Sequence, residues 1–370
     1  MIHGGVSGMT FRERTLAIFA HKPVDNIVYQ PRIEHWYWVN LNAGTLPARY
    51  RGMSLLDVYD DLGCSIRSYP FFNGCLKVKE DPSVKYKVEE YGDITVSRWT
   101  TPVGSIEMRS RRTALAHHTE KFPVEKPEDA RVMEYILRGR TWWFDYEEFE
   151  RNDKLIGERA APMIFIPRIN IQRLYIEIMG VENTIFALND DRRMVEHLIQ
   201  VINETDEQML KVVAESPIPI INFGDNIDHH FLPPNLYKRY VEPEYKRRAK
   251  YLRSKGKFTH AHWDGHIKLL LPYAKDTGLD GIEALTPMPQ GDITIDEMKE
   301  ALGDMILLDG IPMTWFLPHE RVEDLESVTR EIIEKFKPNL ILGISDEPSP
   351  VCDIERVRLV SEIVKTYEER

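Results

Sequence analysis

Along the second half of the chain, hydrophobic and polar positions repeat in a fixed order. A short apolar run ends in a polar residue, and an amphipathic stretch follows. The apolar runs Pro162–Arg168, Ile218–Asp225, Lys257–Asp264, Gly281–Thr286, Met305–Ile311 and Leu340–Ser345 read as buried strands. Gln172–Met179, Val181–Leu188, Arg192–Glu215, Asn235–Lys255, Ile267–Thr277, Ile295–Leu302, Leu325–Phe336 and Ile354–Tyr367 carry the helical spacing, and Asp353 caps the last. Pro243 is expected to kink the long basic Asn235–Lys255 helix.

Nearer the start, Thr10–His21 predicts a helix with a capping box of Thr10 and Glu13, broken by Pro23-Val24-Asp25. Ile27–Ile33 follows as a strand, Leu55–Leu62 as a helix and Ser65–Phe71 as an extended segment. About eight parallel strands alternating with helices predict one (β/α)8 TIM-type barrel domain over residues 1–370. A doubly wound open sheet is the competitor, but the chain has no GxGxxG or Walker A turn.

Residues 78–112 follow a different pattern. Val84–Glu89, Ile94–Trp99 and Gly104–Arg109 alternate like antiparallel strands, with turns at Tyr91-Gly92-Asp93 and Thr101-Pro102. This reads as a β-meander inserted into the barrel, or lidding it. Pro127–Leu137 and Asp145–Asn152 are expected as helices, and His117-His118 as surface residues.

In a barrel, chemistry belongs at the C-terminal ends of the strands. Those ends carry Arg32 and Glu34, Arg168 and Asn170, Asp225 and Asn226, His262 and Asp264, Glu283, Asp309, and Ser345 and Asp346. Any one of these polar residues could simply cap the next helix. A nearly complete ring of them points to a site. The sharpest signal is K-F-T-H-A-H-W-D-G-H at Lys257–His266, where His260, His262 and Asp264 alternate and share one strand face. His262 and Asp264 form a half-site for zinc or another divalent ion, with Glu283, Asp309 or Asp346 to complete it; a metal-free hydrogen-bond network is the alternative. His260, one layer deeper, reads as a core histidine. His229-His230 lie in a loop where at most one, taken as His230, faces the pocket. Trp315-Phe316 read as a wall against a flat or apolar ligand. The HxH of metal-dependent amidohydrolases is a weaker match, because the later histidines stand in the wrong order.

Composition narrows the partners. The formal net charge of −11 over 370 residues argues against nucleic acid or an anionic membrane as the main partner. There is no apolar run of about 18 residues and no signal-peptide pattern; Met1–Gly8 reads as an irregular leader, with Met9 as the functional start. The three cysteines, Cys64, Cys75 and Cys352, lack CxxC spacing and fit a reducing cytoplasm without a disulfide framework.

Several stretches, in order, resemble the uroporphyrinogen decarboxylase superfamily, which includes cobalamin-dependent methyltransferases. They are M-T-F-R-E-R-T-L-A-I-F-A-H-K-P-V-D-N-I near the start, T-T-P-V-G-S-I-E at Thr100–Glu107, I-N-F-G-D-N at Ile221–Asn226, L-P-P-N-L-Y-K-R-Y-V-E-P at Leu232–Pro243, T-H-A-H-W-D-G-H, L-L-D-G-I-P and L-I-L-G-I-S-D-E-P-S-P. The resemblance covers nearly the whole chain and lies nearer the methyltransferase-like members. True decarboxylases carry an R-Q-A-G-R segment after the first strand. Here R-I-E-H-W-Y-W stands in its place, leaving only Arg32 to bind carboxylates, beside a repelling Glu34. Zinc methyltransferases use His-x-Cys and a late Cys; here His262 matches the histidine, Asp264 replaces the first cysteine, and Asp346 falls near the second. Such a set is harder and favours oxygen donors over thiols.

The resemblance therefore implies a cytoplasmic enzyme that moves a methyl group between a small oxygen- or nitrogen-bearing substrate and a corrinoid carried by a partner protein. Zinc or another divalent metal at His262, Asp264 and Asp346 would activate the heteroatom. Asp225, Glu283 and Arg168 are expected as catalytic groups, and Arg32, Glu34, His230, Trp315 and Phe316 as substrate-binding groups. The alternatives are a decarboxylase of a smaller carboxylic acid, worked by Arg32, Arg168 and Asp225, and a non-catalytic corrinoid-binding module.

Overall fold

A computed structural model describes residues 8–113 and 117–367. The expected leader thus lies, apart from Gly8, outside the described residues. Seven strands form one parallel sheet: β1 (Val28–Tyr29), β2 (Met163–Ile166), β3 (Ile220–Phe223), β4 (Phe258–His262), β5 (Gly281–Glu283), β6 (Ile306–Ile311) and β7 (Leu340–Ile344). Their spatial order is β1-β7-β6-β5-β4-β3-β2, and the sheet is curled. Helices return the chain between strands, as parallel pairing requires.

Seven paired strands, rather than eight, reflect the chemistry of residues 64–68. This segment joins its neighbours mainly through hydroxyls instead of a backbone ladder. Ser65 N donates to Tyr29 O at 2.8 Å, Ser65 Oγ to Arg159 O at 2.8 Å, and Ser68 Oγ to Ala161 O at 2.7 Å. Met163 N donates in turn to Ser68 Oγ at 3.0 Å. The segment therefore bridges the two edges of the sheet, next to β1 and β2.

Side-chain alternation puts two kinds of layer on the enclosed face. Val28, Met163, Ile220, Ile306, Leu308 and Ile341 form a buried apolar layer, closed by Ile18 and Phe19 of the first helix. That helix, Phe11–Phe19, carries the expected Thr10/Glu13 capping box. Two residues further along β1, β3 and β4, the same face presents Gln30, Asn222 and His260, all buried. Glu283 lies opposite His262 in the β4–β5 register. The polar layer thus follows from strand period and register.

Several helices keep their expected bounds, among them Leu55–Leu62, Arg192–Glu215 and Ile295–Leu302. Other stretches differ: Ser65–Phe71 coils into a helix at Tyr69–Phe72, and Gln172–Met179 gives way to a short helix at Asn170–Arg173 and a π-turn at Leu174–Ile178. The first strand stops at Tyr29, and residues 30–33 lead without strand pairing into a helix at Glu34–Ala43, with Ile33 at its N-cap. Ile267–Thr277 becomes a 3₁₀ helix over Leu271–Thr277 only. The Asn235–Lys255 stretch splits into a π-turn at Tyr237–Val241 and an α-helix at Glu242–Ser254. That break sits where Pro243 offers no N–H to Arg239 O.

Lys85–Tyr91, Ile94–Thr101, Gly104–Arg112 and His117–Lys121 pair consecutively as a four-stranded antiparallel sheet. The last strand contains His117 and His118, both exposed. Among the described residues, no helix is long and apolar enough to cross a membrane, and Cys64, Cys75 and Cys352 are free and buried.

Candidate active site

Above the apolar layer lies a buried polar knot centred on Glu283. Its Oε2 accepts from Arg67 Nη1 at 2.5 Å, Tyr69 Oη at 2.6 Å and Asn222 Nδ2 at 3.0 Å. Its Oε1 takes His262 Nδ1 at 2.9 Å, with Arg32 Nη1 at 3.6 Å. Burial alone would raise this carboxyl, but Arg67, His262 and Arg32 hold it well below the usual range. Arg67 also donates to Asp309 Oδ1 at 2.6 Å and to Gln30 Oε1 at 3.2 Å.

Asp309 reaches Arg67 by an unusual backbone turn. Leu308 belongs to the enclosed layer, so simple alternation would send Asp309 to the other face. Its φ of 79° re-aims the carboxylate, a conformation that Asp adopts more readily than most residues. Gly343 of β7 leaves room for it: a Cβ there would stand 2.3 Å from Asp309 Oδ1.

His260 and His262 share a strand face but differ in charge. Burial drives His260 down to about 3, so it is neutral, with Nε2 3.1 Å from Tyr69 Oη. Burial also opposes charge on His262, but Asp264 and Glu283 outweigh it and raise His262 to about 9. Its Nε2 lies 3.5 Å from Asp264 Oδ2. His262 is therefore an imidazolium clamped between two carboxylates. The chain of bonds continues outward. Asn226 Nδ2 donates to Asp264 Oδ2 at 3.0 Å, and Arg168 Nη2 donates to Asn226 Oδ1 at 2.9 Å.

The remaining expected residues are placed as follows. Asp225 is fully buried and accepts from Ile169 N at 3.0 Å and Tyr245 Oη at 2.9 Å; burial lifts it to about 6. Arg168 reaches outward to Glu177. Glu34 is buried, lifted by burial to about 7, and accepts from Tyr59 Oη at 2.8 Å. Arg32 is buried, its Nε and Nη2 without a hydrogen bond. Phe316 is wholly buried in the core; Trp315 packs partly buried against it, its Nε1 buried and unpartnered. His230 is exposed and bonds Asp228.

The expected metal set does not assemble. Asp346 is largely exposed and lies 4.0 Å from Arg32 Nη2. His262 Nε2 and Asp264 Oδ2 stay together at 3.5 Å, but Asp346 turns to Arg32, so the three ligand atoms do not gather around one point. His262, Asp264 and Asp346 thus do not fit an ion as they stand. Among the described residues, three ligand atoms that lie within 4.8 Å of one another come from Asp228, His230 and His266 instead.

Arg67, Tyr69, Asn222 and Gln30 are functional residues that the sequence reading misses. Val28, Gln30 and Arg32 alternate, as do Ile220 and Asn222 and, before the helix at Tyr69–Phe72, Ser65 and Arg67. Period-two polarity therefore marks Gln30, Asn222 and Arg67, whereas Tyr69 opens that helix and carries no such signal.

The family model for uroporphyrinogen decarboxylase (URO-D) matches residues 173–367, more than half of the 370-residue chain. The chain belongs to this family. Among solved structures it is similar to a methyltransferase from Methanosarcina mazei, with a TM-score of 0.60 and 12% identity over 96% of this chain and 98% of that one. At that identity the likeness establishes a shared fold. A B12-independent methionine synthase from Shewanella sp. W3-18-1, solved with selenomethionine, gives a TM-score of 0.44 at 13% identity, over 87% of this chain and 89% of that one. No curated protein matches the chain.

Proposed function

We propose that this chain is a methyltransferase-like enzyme of the URO-D family, moving a methyl group between a small oxygen- or nitrogen-bearing substrate and a corrinoid carried by a partner protein. The observation that carries the reading is the clamped imidazolium of His262 at the inner end of the strand mouth, a buried proton donor that is charged at neutral pH. The corrinoid, when bound, supplies the centre that exchanges the methyl group.

The chain's own residues manage the proton. As the bond from methyl carbon to heteroatom breaks, His262 gives its proton to that heteroatom, which leaves as the alcohol or amine. In the reverse direction the neutral imidazole takes the proton back. Glu283 and Asp264 orient the ring, and Arg67 with Tyr69 holds Glu283 in place. A flat partner-borne group at the mouth is supported by Trp38, Met288 and Val351. All three are exposed apolar residues on segments that follow β1, β5 and β7. In this reading the whole chain is one barrel domain. Residues 64–68 take the eighth strand position, and the antiparallel sheet is an insertion.

One observation favours a second reading. Arg32 is buried, its Nε and Nη2 without a hydrogen bond, which suits a substrate carboxylate and hence decarboxylation of a small carboxylic acid. There His262 would protonate the carbanion left by CO2. The test is to supply cob(I)alamin with a panel of methoxy and methylamine compounds, following the corrinoid absorbance, and in parallel to measure CO2 release from small acids without corrinoid. Methyl transfer that falls about 10²- to 10⁴-fold in His262→Gln is expected. No transfer from any compound would overturn the first reading, and corrinoid-free CO2 release would replace it with the second.

A further inference from the structure

Two loops at the C-terminal ends of β3 and β4 are tied together at the rim of the mouth. Gly265 N donates to Ile227 O at 3.1 Å, and His229 N donates to His266 O at 2.8 Å. The contact is close enough to require glycine: a Cβ on Gly265 would stand 2.5 Å from Asp228 Cβ and 2.6 Å from Ile227 O. This pairing gathers three imidazoles. The rings of His229 and His230 stack at 4.5 Å between centroids, and His266 meets His230 edge-on at 4.9 Å.

Asp228 lies beneath them. Its Oδ1 accepts from His230 N at 2.8 Å and its Oδ2 from His266 N at 2.9 Å, so the backbone of the two loops fixes the carboxylate. Its oxygens also lie 2.7 Å from His230 Nδ1 and 3.6 Å from His266 Nδ1. One ligand atom from each of Asp228, His230 and His266 falls within a 4.8 Å span. The Nδ1 of the neighbouring His229 is buried without a hydrogen-bond partner, 3.7 Å from Asp292 Oδ2.

We infer that Asp228, His230 and His266 form a rim site for a borderline transition-metal ion, zinc foremost. It is separate from the His262 knot and does not depend on the methyl-transfer reading. Two imidazoles with one carboxylate select such an ion over Mg2+ or Ca2+, which take oxygen ligands. Zinc bonds of about 2.1 Å in a tetrahedron set ligand atoms about 3.4 Å apart. His266 Nδ1, 3.6 Å from Asp228 Oδ2, is already close to that, and His230 Nδ1, 2.7 Å from Asp228 Oδ1, moves out by about 0.7 Å as the ion enters between them. The two backbone donors on Asp228 supply the outer hydrogen bonds that a ligating carboxylate ordinarily has. With three protein ligands, a fourth position stays open at the mouth for a donor atom of an incoming molecule.

The test uses the full chain, stripped with a chelator and titrated with Zn2+ against a chromophoric competitor. Co2+ substitution gives a second readout through its visible d–d bands. One ion per chain is expected, with tetrahedral-type Co2+ bands. Affinity should fall about tenfold or more in both His230→Ala and His266→Ala, and stay unchanged in His262→Gln. Both rim substitutions fall on exposed side chains, and circular dichroism checks that the variants fold. Absence of saturable uptake by the wild-type chain overturns the inference. So does affinity unchanged in both rim variants, or a loss in His262→Gln as large as theirs.

Discussion

Replacing Arg67 by Met tests whether the Glu283 knot is organised as its geometry implies. Arg67 is the common cation of Glu283 and Asp309, at 2.5 and 2.6 Å, and all three side chains are at most 1% exposed. The two carboxylates do not lose equally. Glu283 would keep Tyr69, Asn222 and His262 as donors. Asp309 would keep none among the described residues, because its Oδ2 is already unpartnered and Arg67 serves its Oδ1. Breaking a buried ion pair from one side costs about 3–5 kcal/mol, and here Asp309 carries most of that cost.

The pH dependence has a definite sign. In the wild type Glu283 is held below its unfolded value, so its stabilisation is present above about pH 4.5 and lost as pH falls through the depressed value. In the variant, Asp309, already raised by burial and left with Arg32 as its nearby cation, binds its proton more tightly still, which penalises the folded state further as pH rises. The deficit of Arg67→Met should therefore be largest near pH 8 and shrink towards pH 4.5. Equilibrium urea denaturation at several pH values measures it. Adding Asp309→Asn to Arg67→Met should recover part of the loss at pH 8, because the unpaired charge is gone. A deficit below about 1 kcal/mol at pH 8, or a double variant no more stable than the single, would refute the reasoning.

Other measurements probe other parts of the frame. His262 is raised to about 9 from 6.5, so its stabilisation is full below pH 6.5 and lost as pH rises through 9. At 1.36 kcal/mol per unit the shift caps this at about 3 kcal/mol, and the stability gap to His262→Gln should narrow by up to that amount between pH 6 and 10; a constant gap would contradict the clamped imidazolium. Asp206 binds Arg173 at 2.8 Å and Arg248 at 2.9 Å, with every side chain at most 4% exposed. Asp206→Asn should therefore cost about 3–5 kcal/mol in urea, and a loss under 1 kcal/mol would mean that water or neighbours replace the carboxylate. Gly265→Ala forces the two rim loops apart and should speed amide exchange at His229 and Gly265, while Gly256→Ala, at positive φ but in open space, should leave those amides unchanged.

Much of the frame could be read locally. Thr10 and Asp353 cap their helices as expected, and Asp145, Asp191 and Thr294 cap helices whose starts the pattern placed at or beside them, because capping uses residues adjacent in the chain. The antiparallel strands around Tyr91-Gly92-Asp93 were legible for the same reason, since pairing and turn lie within a few residues. Where local pattern competed with tertiary context it failed. The Ser65 segment satisfied its neighbours through hydroxyls, and the Glu34 region coiled into a helix that buries Trp36 and Tyr37.

The amino-acid sequence by itself determined which residues would face inward and that many of them would be polar, because strand period fixes sidedness. It also marked His262 and Asp264 as partners, being two residues apart on one face. Only the tertiary structure decided what those residues do. Glu283 meets His262 through the β4–β5 register, Arg67 arrives from a segment more than two hundred residues earlier, and Asp309 joins them through a left-handed φ. The proton on His262 depends on that assembly. His260, two residues away and with only Glu283 at 3.5 Å, is neutral, whereas the charge on His262 comes from two carboxylates placed within 3.5 Å by the fold.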